Sequence, residues 1–155
     1  MNLLHNNTLG IDIGSTTVKI AVLDSEQHIL FTDYERHYAN IQETLALLLS
    51  RAKEKLGEMT VSPSITGSGG LTLSGHLEVP FTQEVVAVAT ALQDYAPQTD
   101  VAIELGGEDA KIIYFTGGID QRMNGICAGG TGSFIDQMAS LLQTDASGLN
   151  EYAKN

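Results

Sequence analysis

The sequence predicts an α/β protein made of two similar halves, and three observations support this prediction. Segments rich in β-branched and aliphatic residues, typical of strands, are followed by helical patterns of leucine, valine and alanine. The order of three strands and then a helix occurs once before Pro97 and once after it. Residues 11–20 also align without gaps with residues 103–112, and both copies carry an acidic residue two positions before a glycine.

The repeat sets the expected domain organisation. Chance similarity between two amphipathic hairpins is the alternative explanation, but the shared acidic residue and glycine favour a duplication. The segment 96–100, which contains Pro97, separates the two patterns. We therefore expect a first domain at residues 1–97 and the beginning of a second, similar domain at residues 98–155.

The first half is expected to form a mixed sheet with an antiparallel three-strand start. Residues 8–13 and 16–23 flank a turn at Gly14 and Ser15, and a third strand is expected between residues 28 and 37. Asn40 precedes a helical pattern that ends at Gly57.

Further elements complete the first half and open the second. A strand at residues 59–66 leads into a glycine-rich segment at 67–70. This segment could line a nucleotide or partner site, but a plain flexible loop is the expected structure. A helix follows Thr82. The second half is expected to contain strands at 101–105, 110–115 and 119–124, then a helix at about 131–142.

Composition and charge exclude several classes of function. With 8 basic and 19 acidic residues the net charge is −11, which disfavours binding to nucleic acid or to an anionic membrane surface. No apolar stretch reaches the roughly 20 residues that cross a bilayer. The single cysteine forms no internal disulfide and residues 1–10 lack the pattern of a signal peptide, so we expect a soluble cytoplasmic protein.

The segment Asp12-Ile13-Gly14-Ser15-Thr16-Thr17 has the composition of a phosphate-binding turn. A carboxylate ends one strand and small residues lead into the next, so backbone amides can approach an anion. Asp12 can hold a hydrated magnesium ion, while the hydroxyls of Thr16 and Thr17 and the ammonium of Lys19 can contact phosphates. The alternative is a purely structural hairpin whose polar side chains satisfy local amides.

The second copy of the repeat supplies a matching candidate turn. Glu104-Leu105-Gly106-Gly107-Glu108-Asp109 places Glu104 at the position of Asp12, and Gly106 and Gly107 at the turn itself. As a phosphate turn it would face the nucleotide from the side opposite to the first. An acidic, solvated turn is the alternative.

The only cysteine, Cys127, precedes a glycine-rich helix start that includes Gly130, Thr131 and Gly132. Amides and the helix dipole at such a position stabilise a thiolate, the form that binds metals. A lone cysteine is more often a small buried apolar residue, and one cysteine cannot supply four cluster ligands. The four histidines show no metal-ligand spacing and receive no assignment.

Three motifs together resemble a known family, the ATP-dependent activators of 2-hydroxyacyl-CoA dehydratases, which are related to the ATPase subunits of benzoyl-CoA reductase. The motifs are residues 9–16, residues 103–111 and residues 127–132, in the family's order and approximate spacing, and the resemblance covers nearly the whole chain. It implies the ribonuclease-H-like fold of actin, Hsp70 and sugar kinases, with two halves that bind ATP and Mg²⁺ between them.

The resemblance also implies a redox function. Two subunits of a homodimer would share one four-iron four-sulfur cluster, with Cys127 as the first of two cysteine ligands from each. ATP hydrolysis would enable low-potential electron transfer to an acyl-CoA dehydratase or reductase-type partner. The family's second cysteine and adenosine-binding motif lie beyond Asn155, so the chain is expected to be an amino-terminal fragment that binds ATP weakly, holds no stable cluster and is inactive alone.

The chain departs from the family pattern at three positions. Glu104 stands where the family has Asp, Glu108 where it has Gln, and Gly129 where it has Ala. The longer Glu104 side chain is expected to shift the magnesium site, and Glu108 is expected to orient or deprotonate an attacking water. Two other functions stay open, a sugar or acetate-type kinase of the same fold and a non-catalytic nucleotide-sensing module.

Overall fold

The computed structural model describes residues 7–124 and 131–154. Contacts divide the chain into two units, Met1–Ala91 and Leu92–Asn155, with the division inside a helix. The domain boundary expected after residue 97 stays a prediction. Among the described residues, no helix combines the length and the apolar character needed to cross a bilayer.

The first unit contains a sheet whose described strands lie in the order β3-β2-β1-β4. The three strands β1 (Asn7–Ile13), β2 (Thr17–Leu23) and β3 (Ile29–Arg36) are antiparallel, as the sequence predicts. Strand β4 (Val61–Thr66) pairs with β1 in parallel. It lies at the edge of this sheet. Pro63 is tolerated there because an edge strand, unlike an inner strand, does not need every backbone N–H to pair with a neighbouring strand.

One face of this sheet is buried by helix α1 (Ile41–Leu56). Alternate residues of β1 and β2 point to this face because successive side chains of a strand point to opposite sides. They form the core together with residues of α1 and β4: Leu9, Ile11, Ile13, Val18, Ile20, Val22, Leu45, Leu48, Ala52 and Ile65. The alternation leaves Asp12 and Lys19 on the other face.

The glycine-rich segment forms a turn at residues 67–69, so the loop is one residue shorter than predicted, and its flexibility stays a prediction. Gly70 begins helix α2 (Gly70–Leu77), which the sequence analysis missed, and Gly69 donates a hydrogen bond of 2.9 Å to the carbonyl oxygen of Ile13. Glycine is required here because a Cβ on Gly69 would lie 2.9 Å from the Ile13 side chain. Helix α3 (Glu84–Tyr95) follows Thr82, as predicted.

The second unit repeats the antiparallel start. Strands β5 (Val101–Leu105), β6 (Ala110–Tyr114) and β7 (Asp120–Met123) lie in that order. Helix α4 (Gly132–Leu141) was predicted, whereas α5 (Ala146–Tyr152) was not. On β5, the residue Ile103 is 70% exposed, whereas the matching Ile11 is 4% exposed in the core of the first unit.

The turn between β2 and β3 gives a first testable prediction. The pKa of the Asp24 carboxyl is lowered chiefly by the hydrogen bond that it accepts from the His28 amide. The charged carboxylate therefore stabilises the fold above its ordinary pKa of 3.8, and this contribution is lost as the pH falls through the lowered value.

In Asp24→Asn the amide oxygen still accepts the hydrogen bonds of the turn, but the charge is gone. We expect the variant to be less stable than the wild type near neutral pH, and this difference to disappear in acid. Urea unfolding at both pH values measures the difference. A difference that persists unchanged in acid would show that the charge is not the cause.

Candidate functional site

The first turn, residues 14–17, joins β1 to β2 at the carboxyl end of β1. Gly14 closes it by donating a hydrogen bond of 2.9 Å to the carbonyl oxygen of Thr17. Within the described residues of this unit, the amides of Ser15 and Thr16 donate to no backbone oxygen. These two amides are therefore available to an anion.

Asp12 and Lys19 face each other across this hairpin. They are register partners, and the Lys19 Nζ lies 2.8 Å from the Asp12 Oδ2. The Lys19 side chain is 51% exposed and the Asp12 side chain is 33% exposed. The ammonium of Lys19 thus neutralises Asp12, and a direct contact between Lys19 and a phosphate stays a prediction.

The second turn, residues 106–109, has the same construction. Gly106 donates a hydrogen bond of 2.8 Å to the carbonyl oxygen of Asp109, as Gly14 does to Thr17. Glu104 pairs in register with Lys111, just as Asp12 pairs with Lys19. The repeat found in the sequence is therefore a repeat of strand register and turn geometry.

The charges at the second turn differ from those at the first. The Lys111 Nζ lies 3.4 Å from the Glu104 Oε1 and 3.1 Å from the Asp109 Oδ2, so two carboxylates surround one ammonium. Lys111 is also more buried than Lys19, with 8% of its side chain exposed. Glu108 is exposed at the position that matches Thr16.

Strand β4 adds a residue that the sequence analysis missed. Thr66 is the parallel register partner of Asp12, so both side chains lie on the same face of the sheet. The Thr66 Oγ1 is buried and has no hydrogen-bond partner among the described residues. A strand pairing between residues so far apart in sequence leaves no local signal, and this is why Thr66 was not found.

Gly67 brings this strand end against the first turn. Its φ of +96° lies in the region that favours glycine, and a Cβ would clash with the Ile13 carbonyl and lie 2.6 Å from the Asp12 Oδ1. The carboxyl ends of β1 and β4 therefore meet at Asp12, Thr66 and Gly67. Ligands of open α/β sheets bind at such strand ends.

The start of helix α4 packs against the second turn. Gly132 donates a hydrogen bond of 2.9 Å to the Gly106 carbonyl, and Ser133 donates one of 2.7 Å to the Gly107 carbonyl. Thr131 is 1% exposed, and its Oγ1 is buried with no partner among the described residues. The Oε2 of Glu104 is likewise buried and has no hydrogen-bond partner among the described residues.

Two predicted site residues, Cys127 and Gly130, lie outside the described residues, as does Gly129. In the part of the chain that the structure describes, no group of three or more His, Cys, Asp or Glu residues has the arrangement of a metal site. The role of Asp12 as a magnesium ligand through water stays a prediction.

Comparison with known proteins identifies relatives of the whole described region. The sequence pattern of the BadF/BadG/BcrA/BcrD ATPase family matches residues 9–155. The (R)-2-hydroxyglutaryl-CoA dehydratase activating ATPase of Acidaminococcus fermentans is 30% identical over 149 residues, which are 93% of this chain and 56% of that protein. The 2-hydroxyisocaproyl-CoA dehydratase activator of Clostridioides difficile is 28% identical over 157 residues, 96% of this chain and 57% of that protein.

Comparison with a solved structure identifies the fold. The activator of the 2-hydroxyisocaproyl-CoA dehydratase from Clostridium difficile with bound ADPNP superposes with a TM-score of 0.76 at 26% identity, covering 96% of this chain and 57% of that one. The predicted ribonuclease-H-like, actin-like ATPase fold is thereby confirmed. The chain spans a little over half the length of these relatives, and it belongs to the BadF/BadG/BcrA/BcrD ATPase family.

Proposed function

We propose that this chain forms the phosphate-binding part of an ATPase that activates a 2-hydroxyacyl-CoA dehydratase-type partner. ATP hydrolysis would be coupled to low-potential electron transfer from an iron-sulfur cluster held between two subunits in the cytoplasm. The observation that carries the ATPase part is the first turn, where the amides of Ser15 and Thr16 are available and Asp12 lies near the end of the preceding strand. Relatives whose names describe dehydratase activators support the choice of partner.

The residues of the first turn suit a magnesium-bound triphosphate. The amides of Ser15 and Thr16 would bind phosphate oxygens, and the hydroxyls of Ser15, Thr16 and Thr17 add further donors. Asp12 would hold water molecules of the hydrated Mg²⁺, whose charge offsets that of the phosphates. The unpartnered hydroxyl of Thr66, on the same face of the sheet as Asp12, would bond one of those waters or a phosphate oxygen.

The second turn is proposed to bind phosphate with Gly106 and Gly107 and to supply the acidic groups for hydrolysis. Glu108 is exposed at the tip of this turn, where a carboxylate can accept a proton from an attacking water. Glu104 would hold a water through its buried Oε2, which has no partner among the described residues. Thr131 and Gly132, at the start of α4, would line the same site.

The cluster part of the proposal depends on Cys127. The chain contains 1 cysteine, so two copies provide two thiolates of the four that such a cluster requires. A complete cluster would need two further ligands. A bound cluster would supply one-electron chemistry at low potential.

Separate measurements test the two parts of this proposal. The full-length protein, purified without oxygen, is expected to contain iron and to hydrolyse ATP, and Cys127→Ala is expected to lose the iron and keep nucleotide binding. Protein without iron would refute the cluster part alone. Transfer of phosphate to a small acceptor, unaffected by Cys127→Ala, would instead indicate a kinase, and binding without turnover would indicate a nucleotide-sensing module.

A further inference from the structure

His37, the first residue after β3, lies against the first turn. It is 8% exposed, and its Nε2 lies 3.2 Å from the carbonyl oxygen of Gly14. On the other side of the ring, the amide of Ala39 donates a hydrogen bond of 3.1 Å to Nδ1. The imidazole therefore connects the first turn to the segment that leads into α1.

These two contacts determine the tautomer of the ring. A backbone amide can only donate, so the His37 Nδ1 that receives the Ala39 amide carries no proton. The proton of the neutral imidazole is then on Nε2, which donates to the carbonyl oxygen of Gly14. The ring acts as a donor toward the turn and as an acceptor toward Ala39.

The contact with Gly14 sets the direction of the Ser15 amide. The carbonyl of Gly14 and the amide of Ser15 belong to one trans peptide, in which C=O and N–H point in opposite directions. Holding the carbonyl toward His37 therefore directs the Ser15 N–H away from it. The backbone amide of His37 also donates a hydrogen bond of 3.2 Å to the carbonyl oxygen of Thr16, and this fixes the next part of the turn.

The backbone around His37 is strained, which indicates that its position is determined by its surroundings. Tyr38 and Ala39 have φ values of +43° and +69°, in the left-handed region where each non-glycine residue costs roughly 1–2 kcal/mol. Asn40 donates a hydrogen bond of 2.6 Å to the His37 carbonyl, and helix α1 begins at the next residue. The core helix thus holds the imidazole against the turn.

The second unit has a related arrangement. Asn124, the first residue after β7, accepts a hydrogen bond of 2.8 Å from the Ala110 amide through its Oδ1. Its own amide donates one of 3.2 Å to the Ala110 carbonyl. In both units, the residue after the third strand therefore forms hydrogen bonds through its side chain and its backbone near the hairpin turn. His37 binds residues of the turn itself, whereas Asn124 binds Ala110, the first residue of β6.

We infer that His37 is a positioning residue for the phosphates of ATP, because its Nε2–H holds the peptide whose amide, that of Ser15, binds a phosphate oxygen. This inference rests on the proposed function of the first turn. In this role His37 does not contact the nucleotide. Its effect on affinity is transmitted through the orientation of the Gly14–Ser15 peptide.

Two substitutions separate this effect from a loss of stability. In His37→Gln the amide nitrogen lies as many bonds from Cβ as Nε2 does, so it can donate to Gly14. In His37→Asn the side-chain oxygen can accept from Ala39, but no donor reaches Gly14. We expect His37→Asn to raise the Kd for Mg-ATP about tenfold, the effect of one lost hydrogen bond, and His37→Gln to stay close to the wild type.

The measurements are ATP titration of the full-length wild type and variants, urea unfolding of each, and ¹⁵N NMR of the histidine rings. His28→Asn, an exposed histidine at the other end of the β2–β3 hairpin, is the matched control. The NMR spectrum is expected to show the Nε2–H tautomer for His37. Normal ATP affinity in His37→Asn, or the Nδ1–H tautomer, would refute the positioning role, whereas a wild type that binds no ATP would refute the proposed function as well.

Discussion

Gly67→Ala is expected to destabilise the first unit by more than about 2 kcal/mol and to weaken ATP binding. Two effects add at this position. Alanine resists the φ of +96°, and its Cβ would clash with the Ile13 carbonyl and approach the Asp12 Oδ1 to 2.6 Å. Relief of these clashes requires β4 to move away from β1 or Asp12 to change its position. Urea unfolding and ATP titration measure the two consequences.

Gly57→Ala is the matched control for the backbone effect. Gly57 also has a positive φ, +79°, but nothing lies within 4 Å of the Cβ that alanine would add. Its ψ of −166° puts Gly57 in a region that is essentially restricted to glycine, so the control variant is expected to lose roughly 1–3 kcal/mol of stability but no ATP affinity. Equal effects of the two substitutions on ATP affinity would show that the close approach of Gly67 to Asp12 has no importance.

Asp12→Asn is expected to reduce ATP hydrolysis by roughly a hundredfold or more, because the carboxylate that would hold the hydrated magnesium ion loses its charge. The substitution preserves size and leaves Lys19, which lies 2.8 Å from Asp12, without its anionic partner. The fold should persist, since the Asp12 side chain is on the face opposite to the α1 core. The rate at saturating Mg-ATP is the quantity to measure.

Asp33→Asn controls for the loss of one negative charge in the same sheet. Asp33 also pairs with a basic residue, since its Oδ2 lies 3.2 Å from the Arg51 Nη1. As the register partner of Ile20, it lies on the face that α1 covers. We expect its hydrolysis rate to match the wild type, and an equal loss in both variants would contradict a specific role for Asp12.

Local patterns were sufficient to predict much of the fold. The hairpins were predicted because each strand alternates apolar and polar residues around a glycine turn, and this pattern also fixes which side chains face the core. The gap-free repeat of the sequence corresponds to a repeat of register in the structure. Asp12 and Lys19, like Glu104 and Lys111, are partners across their hairpins.

Other features depend on contacts that no local pattern encodes. Helix α2 contains Gly70 and Gly75 and has no side-chain cap, so its sequence is typical of a loop. Packing against Ile13 and Ile65 stabilises the helix. Helix α5 did have a local signal, since Asp145 caps it through the Gly148 amide. The contact of His37 with Gly14 joins residues on different elements and requires the folded sheet.

An amide NMR titration of the full-length protein with Mg-ATP tests directly whether the first turn binds phosphate. If the first turn binds the phosphates, the amide signals of Ser15 and Thr16 should shift strongly, and that of Glu26, in the turn at the other end of β2, should not. The same titration of Asp12→Asn should give weaker binding. Saturable ATP binding that leaves the Ser15 and Thr16 amides unshifted would show that this turn is not the phosphate site.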